Sequence, residues 1–67
     1  MVSGALSRGL AVIDVLVGAA HGLSLQQVSE RLALPKSAAH RVLANLVEDG
    51  FVRQDPATGD YVLTLGS

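Results

Sequence analysis

The sequence predicts a small, mainly α-helical domain that ends in a β-hairpin. Apolar residues recur at helical spacing in three successive segments, capping or helix-breaking residues separate these segments, and residues 51–65 hold two strand-like runs around a turn. The 67 residues include no cysteine, and 49% of them are apolar. We therefore expect one domain, residues 1–67, that side-chain packing stabilises without disulfides.

The first segment predicts an amphipathic helix that ends near Gly22, where glycine can adopt the left-handed conformation that stops a helix. Ser7 and Asp14 point away from its main apolar arc, which consists of Leu6, Leu10, Ile13, Leu16, Val17 and Ala20. Three further apolar residues lie outside this arc, namely Val12, Val15 and Ala19. A helix that is apolar around so much of its circumference needs a second partner, either more of the core or another subunit.

The second helix is predicted to begin at Ser24. Ser24 and Gln27 form a capping box, in which each side chain can accept a hydrogen bond from the other residue's backbone N–H. This helix is short because Leu34 precedes Pro35, and the residue before a proline is disfavoured in the helical conformation. Pro35 suits the first position of a third helix.

The third helix is predicted to bury one face and to expose the other. Its apolar stripe consists of Ala39, Val42, Leu43, Leu46 and Val47. The opposite side carries Ser37, Arg41, Ala44 and Glu48, with His40 at the margin, and Gly50 ends the helix. The second and third helices are joined by about three residues and together span about 24–49. This is the layout of a helix-turn-helix.

The C-terminal part of the sequence predicts a hairpin over about 51–65. Phe51–Gln54 and Tyr61–Leu65 favour strands, and the segment "DPATGD" between them contains an Asp-Pro start and a glycine suited to the loop. Leu23 and Ser24 could add a brief third strand. The predicted fold is thus a winged helix-turn-helix, with three helices followed by a two- or three-stranded antiparallel wing. In such domains the third helix enters the DNA major groove, although similar domains also serve as protein-interaction modules.

The charge distribution favours a nucleic-acid partner in spite of a net charge of −1. Between Arg31 and Val47 the sequence contains Arg31, Lys36, His40 and Arg41 but no acidic residue. Neither a catalytic pair, a metal-ligand cluster nor a phosphate-binding glycine loop is apparent, so we expect no enzyme activity, no cofactor and no metal. The longest apolar run is too short to span a membrane and the N-terminus lacks a signal peptide, so we expect a cytoplasmic protein.

Three stretches carry a family resemblance: "SRGLAVIDVL", "GLSLQQVSERLALPKSAAHRVLANLVEDGFV" and "DPATGDYVLTLG". Together they resemble the N-terminal DNA-binding domain of the IclR family of bacterial transcriptional regulators. The resemblance implies a homodimer on a palindromic or near-palindromic operator, and a following effector-binding domain, absent from this chain, that would take a small molecule. This sequence departs from the family pattern at Ala33, where the turn usually holds glycine, at Ala38 in place of a hydroxyl residue, and at Asp60 in place of a basic one.

On this interpretation the candidate DNA contacts are Lys36, Ser37, His40, Arg41, Gln26, Arg8, Arg53 and Thr58. Arg41 can pair with a guanine or with a phosphate, and Lys36 and Ser37 lie at a helix N-terminus that favours phosphate. Each of these residues is otherwise an ordinary surface, capping or turn residue. The apolar flank of the first helix, formed by Val12, Val15 and Ala19, is the candidate dimer contact. The rival function is a winged-helix protein-interaction module that binds no DNA.

Overall fold

The computed structural model describes residues 4–19 and 21–64, with side chains from residue 7 onward. Its elements, in chain order, are α1 (Gly4–Val17), α2 (Leu25–Leu32), α3 (Lys36–Glu48), β1 (Val52–Gln54) and β2 (Tyr61–Leu63). The order confirms the predicted three helices and hairpin. Within these described ranges, no helix has the length and apolar character required to cross a membrane.

Helix α3 lies at the centre of the fold and packs against α1, α2 and β1. Its inner face buries Ala39, Leu43 and Leu46, as its apolar periodicity predicts. Val47 was expected on the same face but is 40% exposed. The remaining buried apolar residues come from every other element and from the segment before α2: Val12, Leu16, Leu23, Val28, Val52 and Tyr61.

The predicted inward face of α1 is wrong in part. Leu10 and Val17 are 52% and 66% exposed, whereas Val12 is fully buried in the core. Val12 was a candidate dimer contact, and its burial inside its own domain rules out that role. The helix is rotated so that Gly9 faces α3, and a Cβ built on Gly9 would lie 3.8 Å from Cδ2 of Leu46. A Cβ at this position would make an ordinary van der Waals contact, and the packing of α1 against α2, α3 and β2 buries Val12 and Leu16.

Helix α1 also ends earlier than predicted, at Val17 rather than near Gly22. Gly22 is left-handed, with φ 86°, as expected, but it positions Leu23 for the sheet instead of ending the helix directly. Val15 and Ala19 are partly buried against the core. Ala20 lies outside the described residues.

Hydrogen bonds fix both ends of α2. The predicted capping box is present at the start of the helix: the Gln27 backbone N–H donates to Ser24 Oγ at 3.1 Å, and the Ser24 N–H donates to Gln27 Oε1 at 2.9 Å. At the end of the helix, further bonds close the turn that leads to α3. Ala33 adopts the left-handed conformation with φ 54°, which costs an alanine about 1–2 kcal/mol. The Leu34 N–H donates to the Ser29 carbonyl at 3.0 Å, and Ser29 Oγ donates to the Leu34 carbonyl.

Helix α3 begins at Lys36, one residue later than predicted, with Pro35 as its N-cap. Gly50 follows its C-terminus in the left-handed conformation, with φ 84°. The strands pair antiparallel with Arg53 opposite Val62. Leu23 joins the hairpin through two hydrogen bonds with Tyr61, of 3.0 and 2.7 Å. This is an isolated bridge rather than the possible third strand over Leu23 and Ser24, and the described sheet has two strands. Leu65, at the predicted end of the second strand, lies outside the described residues.

We predict that Gly22→Ala destabilises the domain by about 2–4 kcal/mol, because it combines left-handed backbone strain with overpacking. An added Cβ would lie 2.5 Å from Val62 Cγ1 and 2.6 Å from the Tyr61 carbonyl oxygen. Gly50→Ala is the matched control: its φ of 84° is nearly the same, but nothing lies within 4 Å of its added Cβ. It should cost only about 1 kcal/mol. Urea unfolding of both variants measures the difference, and equal losses would contradict the steric argument.

Candidate nucleic-acid interface

The outer face of α3 presents a polar and basic surface. Lys36, Ser37, His40 and Arg41 are all exposed within its first two turns, because burial of Ala39 and Leu43 fixes the rotation of the helix. None of these four side chains forms a hydrogen bond or ion pair with another residue of the described ranges. Four sequence-predicted site residues therefore lie together and remain available for a ligand.

The backbone at the N-terminus of α3 can also bind an anion. Pro35 makes no side-chain capping bond there, whereas Ser24 caps α2. The first N–H groups of a helix have no partner within the helix, and together with the helix dipole they attract phosphate. Lys36 and Ser37 lie at this N-terminus, so backbone and side chains favour the same kind of ligand.

The charges of α3 run against its helix dipole. No acidic residue lies in its first turn and no basic residue in its last; instead Lys36 is its first residue, and Glu48 and Asp49 stand at its C-terminus. A cation near the N-terminus and anions near the C-terminus each cost about 0.3–1 kcal/mol relative to the opposite arrangement. The arrangement therefore reduces the stability of the unliganded helix.

Residues of α1 and α3 line an open groove, with a volume of about 840 Å³, beside the contact between the two helices. Arg8 and Arg41 both line it, which brings together two predicted site residues from different helices. Its apolar lining includes Leu10, Ile13, Val42 and Phe51. Glu48 and Asp49 also line the groove, but neither acid forms an ion pair with Arg41 among the described residues.

The other predicted site residues lie on separate elements and are exposed. Gln26, on α2, donates a 3.3 Å hydrogen bond to Glu30 Oε2. Arg53 lies on β1, and Thr58 lies in the hairpin turn, where its Oγ1 accepts a 3.2 Å bond from the Asp60 N–H. No hydrogen bond within the described ranges connects these three residues to the α3 cluster.

Asn45 also belongs to this surface, although the sequence did not single it out. It is exposed, lines the groove beside Arg41 and follows it by one helical turn. The sequence could have indicated Asn45, because it follows Arg41 by four residues and residues four apart share a helix face. Among the residues whose placement is described, no group of three His, Cys, Asp or Glu side chains could hold a metal ion.

Comparison with known proteins identifies similar sequences and folds. Residues 5–56 match the IclR helix-turn-helix domain. The chain is 42% identical over 62 residues to the DNA-binding transcriptional repressor YiaJ of Escherichia coli and 40% identical over 58 residues to a glycerol operon regulatory protein of Streptomyces griseus. These alignments cover 92% and 87% of the chain but only 22% and 23% of the relatives.

A solved structure shows the same similarity. The crystal structure of an IclR family transcriptional regulator from Brucella abortus matches with a TM-score of 0.86 and 34% sequence identity. The match covers 97% of this chain and 25% of that one. The described helices and hairpin therefore have the winged-helix architecture of such regulators.

We predict that Lys36→Glu raises the free energy of unfolding by about 0.3–1 kcal/mol, because a carboxylate near the N-terminus of α3 interacts favourably with the dipole. Lys36→Gln, which only removes the charge, should give a smaller increase. Urea unfolding at low ionic strength measures both, and the gain should shrink when salt is added. A loss of stability in Lys36→Glu would show that Lys36 has a structural role.

Proposed function

The chain belongs to the IclR helix-turn-helix family, and from this premise we propose that it binds double-stranded DNA sequence-specifically with α3 in the major groove. Domains of this family act in DNA-binding transcriptional regulators, and this chain is such a domain. One observation carries the proposal: the uncapped N-terminal half of α3 exposes Lys36, Ser37, His40 and Arg41 without an acidic residue among them. The hairpin then lies beside α3, along the DNA backbone or the minor groove.

Phosphate contacts would position the domain on the duplex. Lys36 and Ser37 supply charge and a hydroxyl beside the free N–H groups of α3, so one phosphate can bind both side chains and backbone. Arg8, Gln26, Arg53 and Thr58 would contact flanking phosphates from α1, α2 and the hairpin. Asp60, which is partly buried before β2, weakens any contact from the hairpin because it repels phosphate.

Base contacts would come from Arg41, with His40 beside it. Arg41 lies in the second turn of α3 and can form a bidentate pair with guanine O6 and N7 in the major groove. Its side chain makes no intramolecular ion pair with a described residue, so no such bond has to break for DNA to bind.

The complete regulator would be a homodimer on a palindromic or near-palindromic operator. The chain spans about a quarter or less of the relatives' length, and we propose a following effector-binding domain that takes a small molecule. Residues 1–67 form the DNA-binding domain, with the helix-turn-helix over about 24–49 and the wing over about 51–65. Val15 and Ala19 stay candidate dimer contacts.

We further propose that the protein is cytoplasmic and has no enzyme activity, since its relatives are transcriptional regulators.

The alternative is a protein-interaction module that binds no DNA. The net charge of −1 and the acidic residue Asp60 in the hairpin are the observations that favour it. The family membership and the exposed basic residues of α3 favour DNA binding instead.

We predict that affinity for duplex DNA falls steeply as salt rises. Three cationic side chains are proposed phosphate contacts, namely Arg8, Lys36 and Arg53, and Arg41 adds a fourth if it binds a phosphate instead of a guanine. The slope of log K against log salt should therefore be about −2 to −4 per domain. Fluorescence anisotropy with a labelled duplex between 50 and 200 mM salt, roughly the range in which such contacts weaken, measures the slope. A flat response, or no binding at the lowest salt, would favour the protein-interaction module.

We predict that Arg41→Ala weakens specific binding by about 1–3 kcal/mol through the loss of a bidentate contact. Arg31→Ala is the matched control. It removes the same charge from the last turn of α2, where Arg31 favours the helix dipole, and should change affinity less. Circular dichroism confirms that both variants fold. Equal losses of affinity in the two variants would mean that Arg41 contributes only a positive charge that attracts DNA, and no contact of its own.

A further inference from the structure

The geometry of α3 points to Asn45 as a second base-reading residue, which specifies an adenine near the guanine contacted by Arg41. This inference rests on the DNA binding proposed above and adds a sequence preference to it. Asn45 is assigned here because of its position, its exposure and the chemistry of its amide.

Asn45 and Arg41 lie on the same side of α3. Four residues along an α-helix correspond to a rotation of about 40° and a rise of about 6 Å. Both side chains are exposed, and both line the groove between α1 and α3. An orientation of α3 that brings Arg41 to the floor of the major groove therefore brings Asn45 toward the same floor, one turn further along.

The amide of Asn45 matches one base in particular. It carries a donor and an acceptor in one plane and can pair with N6 and N7 of adenine, whereas arginine prefers guanine. Successive base pairs are about 3.4 Å apart, so a separation of about 6 Å along the helix places the two readers within about two base pairs. The preferred half-site accordingly contains a guanine and an adenine at close spacing.

Two neighbouring features support this assignment. The Asn45 side chain makes no hydrogen bond with a described residue, so its amide is not engaged in holding the fold. Ala44 is exposed beside it and presents only a methyl group, so α3 can approach the base edges closely at this turn. A methyl group at that place can also contact a thymine methyl.

Selection from a duplex library with a randomised core, using the 67-residue chain at low salt, provides the test. Affinity is then measured for the selected duplex and for its single-base variants. The wild-type chain should prefer one adenine within about two base pairs of a guanine, and Asn45→Ala should lose about 10- to 100-fold discrimination at that adenine alone. The salt slope of Asn45→Ala should equal that of the wild type, because no phosphate contact is removed.

Three further variants complete the test. Asn45→Gln keeps the amide and should retain part of the adenine preference, Arg41→Ala should lose the guanine preference, and His21→Ala, at an exposed position outside α3, should lose neither. An unchanged base preference in Asn45→Ala, with duplex binding intact, would overturn this inference and leave the proposed function standing. Absence of duplex binding by the wild-type chain would overturn both.

Discussion

Burial of the inner face of α3 is the constraint on which the rest of the structure depends. Leu43 is fully buried, and Ala39 and Leu46 pack beside it against apolar residues of α1, α2 and the hairpin. A rotation of α3 about its axis would expose these residues, and burial of one leucine side chain is worth about 1.5–3 kcal/mol. The same packing therefore fixes which residues face outward, and the candidate interface follows from the core.

Two backbone devices hold the neighbours of α3 in place. The left-handed residue Ala33 and the bonds between Ser29 and Leu34 close the turn from α2, and the Leu23–Tyr61 bridge joins the loop before α2 to the hairpin. An alanine at the left-handed position retains a conformational strain that glycine would relieve. The turn is nevertheless closed, because the hydrogen bonds between Ser29 before Ala33 and Leu34 after it fix the course of the backbone through the turn.

The sequence predicted well those features that depend only on residues close together in the chain. Ser24 and Gln27 cap α2 through bonds that span three residues, and Gly50 takes the conformation expected after a helix. The inward face of α1 was not predictable in this way, because apolar residues cover much of the circumference of the helix. Its packing against α2, α3 and β2 buries Val12 from outside the predicted arc together with Leu16 from within it. For the candidate site, the sequence indicated the acid-free basic segment but not Asn45, whose relevance depends on the orientation of α3.

The charge pattern of α3 links stability to recognition. Lys36 at its N-terminus and Glu48 and Asp49 at its C-terminus are unfavourable for the helix dipole, so they weaken the free domain. A phosphate bound at the N-terminus would reverse the first of these costs, because it would interact favourably with both the dipole and Lys36. The acids at the other end would repel the DNA backbone. In the proposed complex these two effects act in the same direction: they favour insertion of α3 by its N-terminal half, which holds Arg41, and Asn45 follows one turn further along the helix.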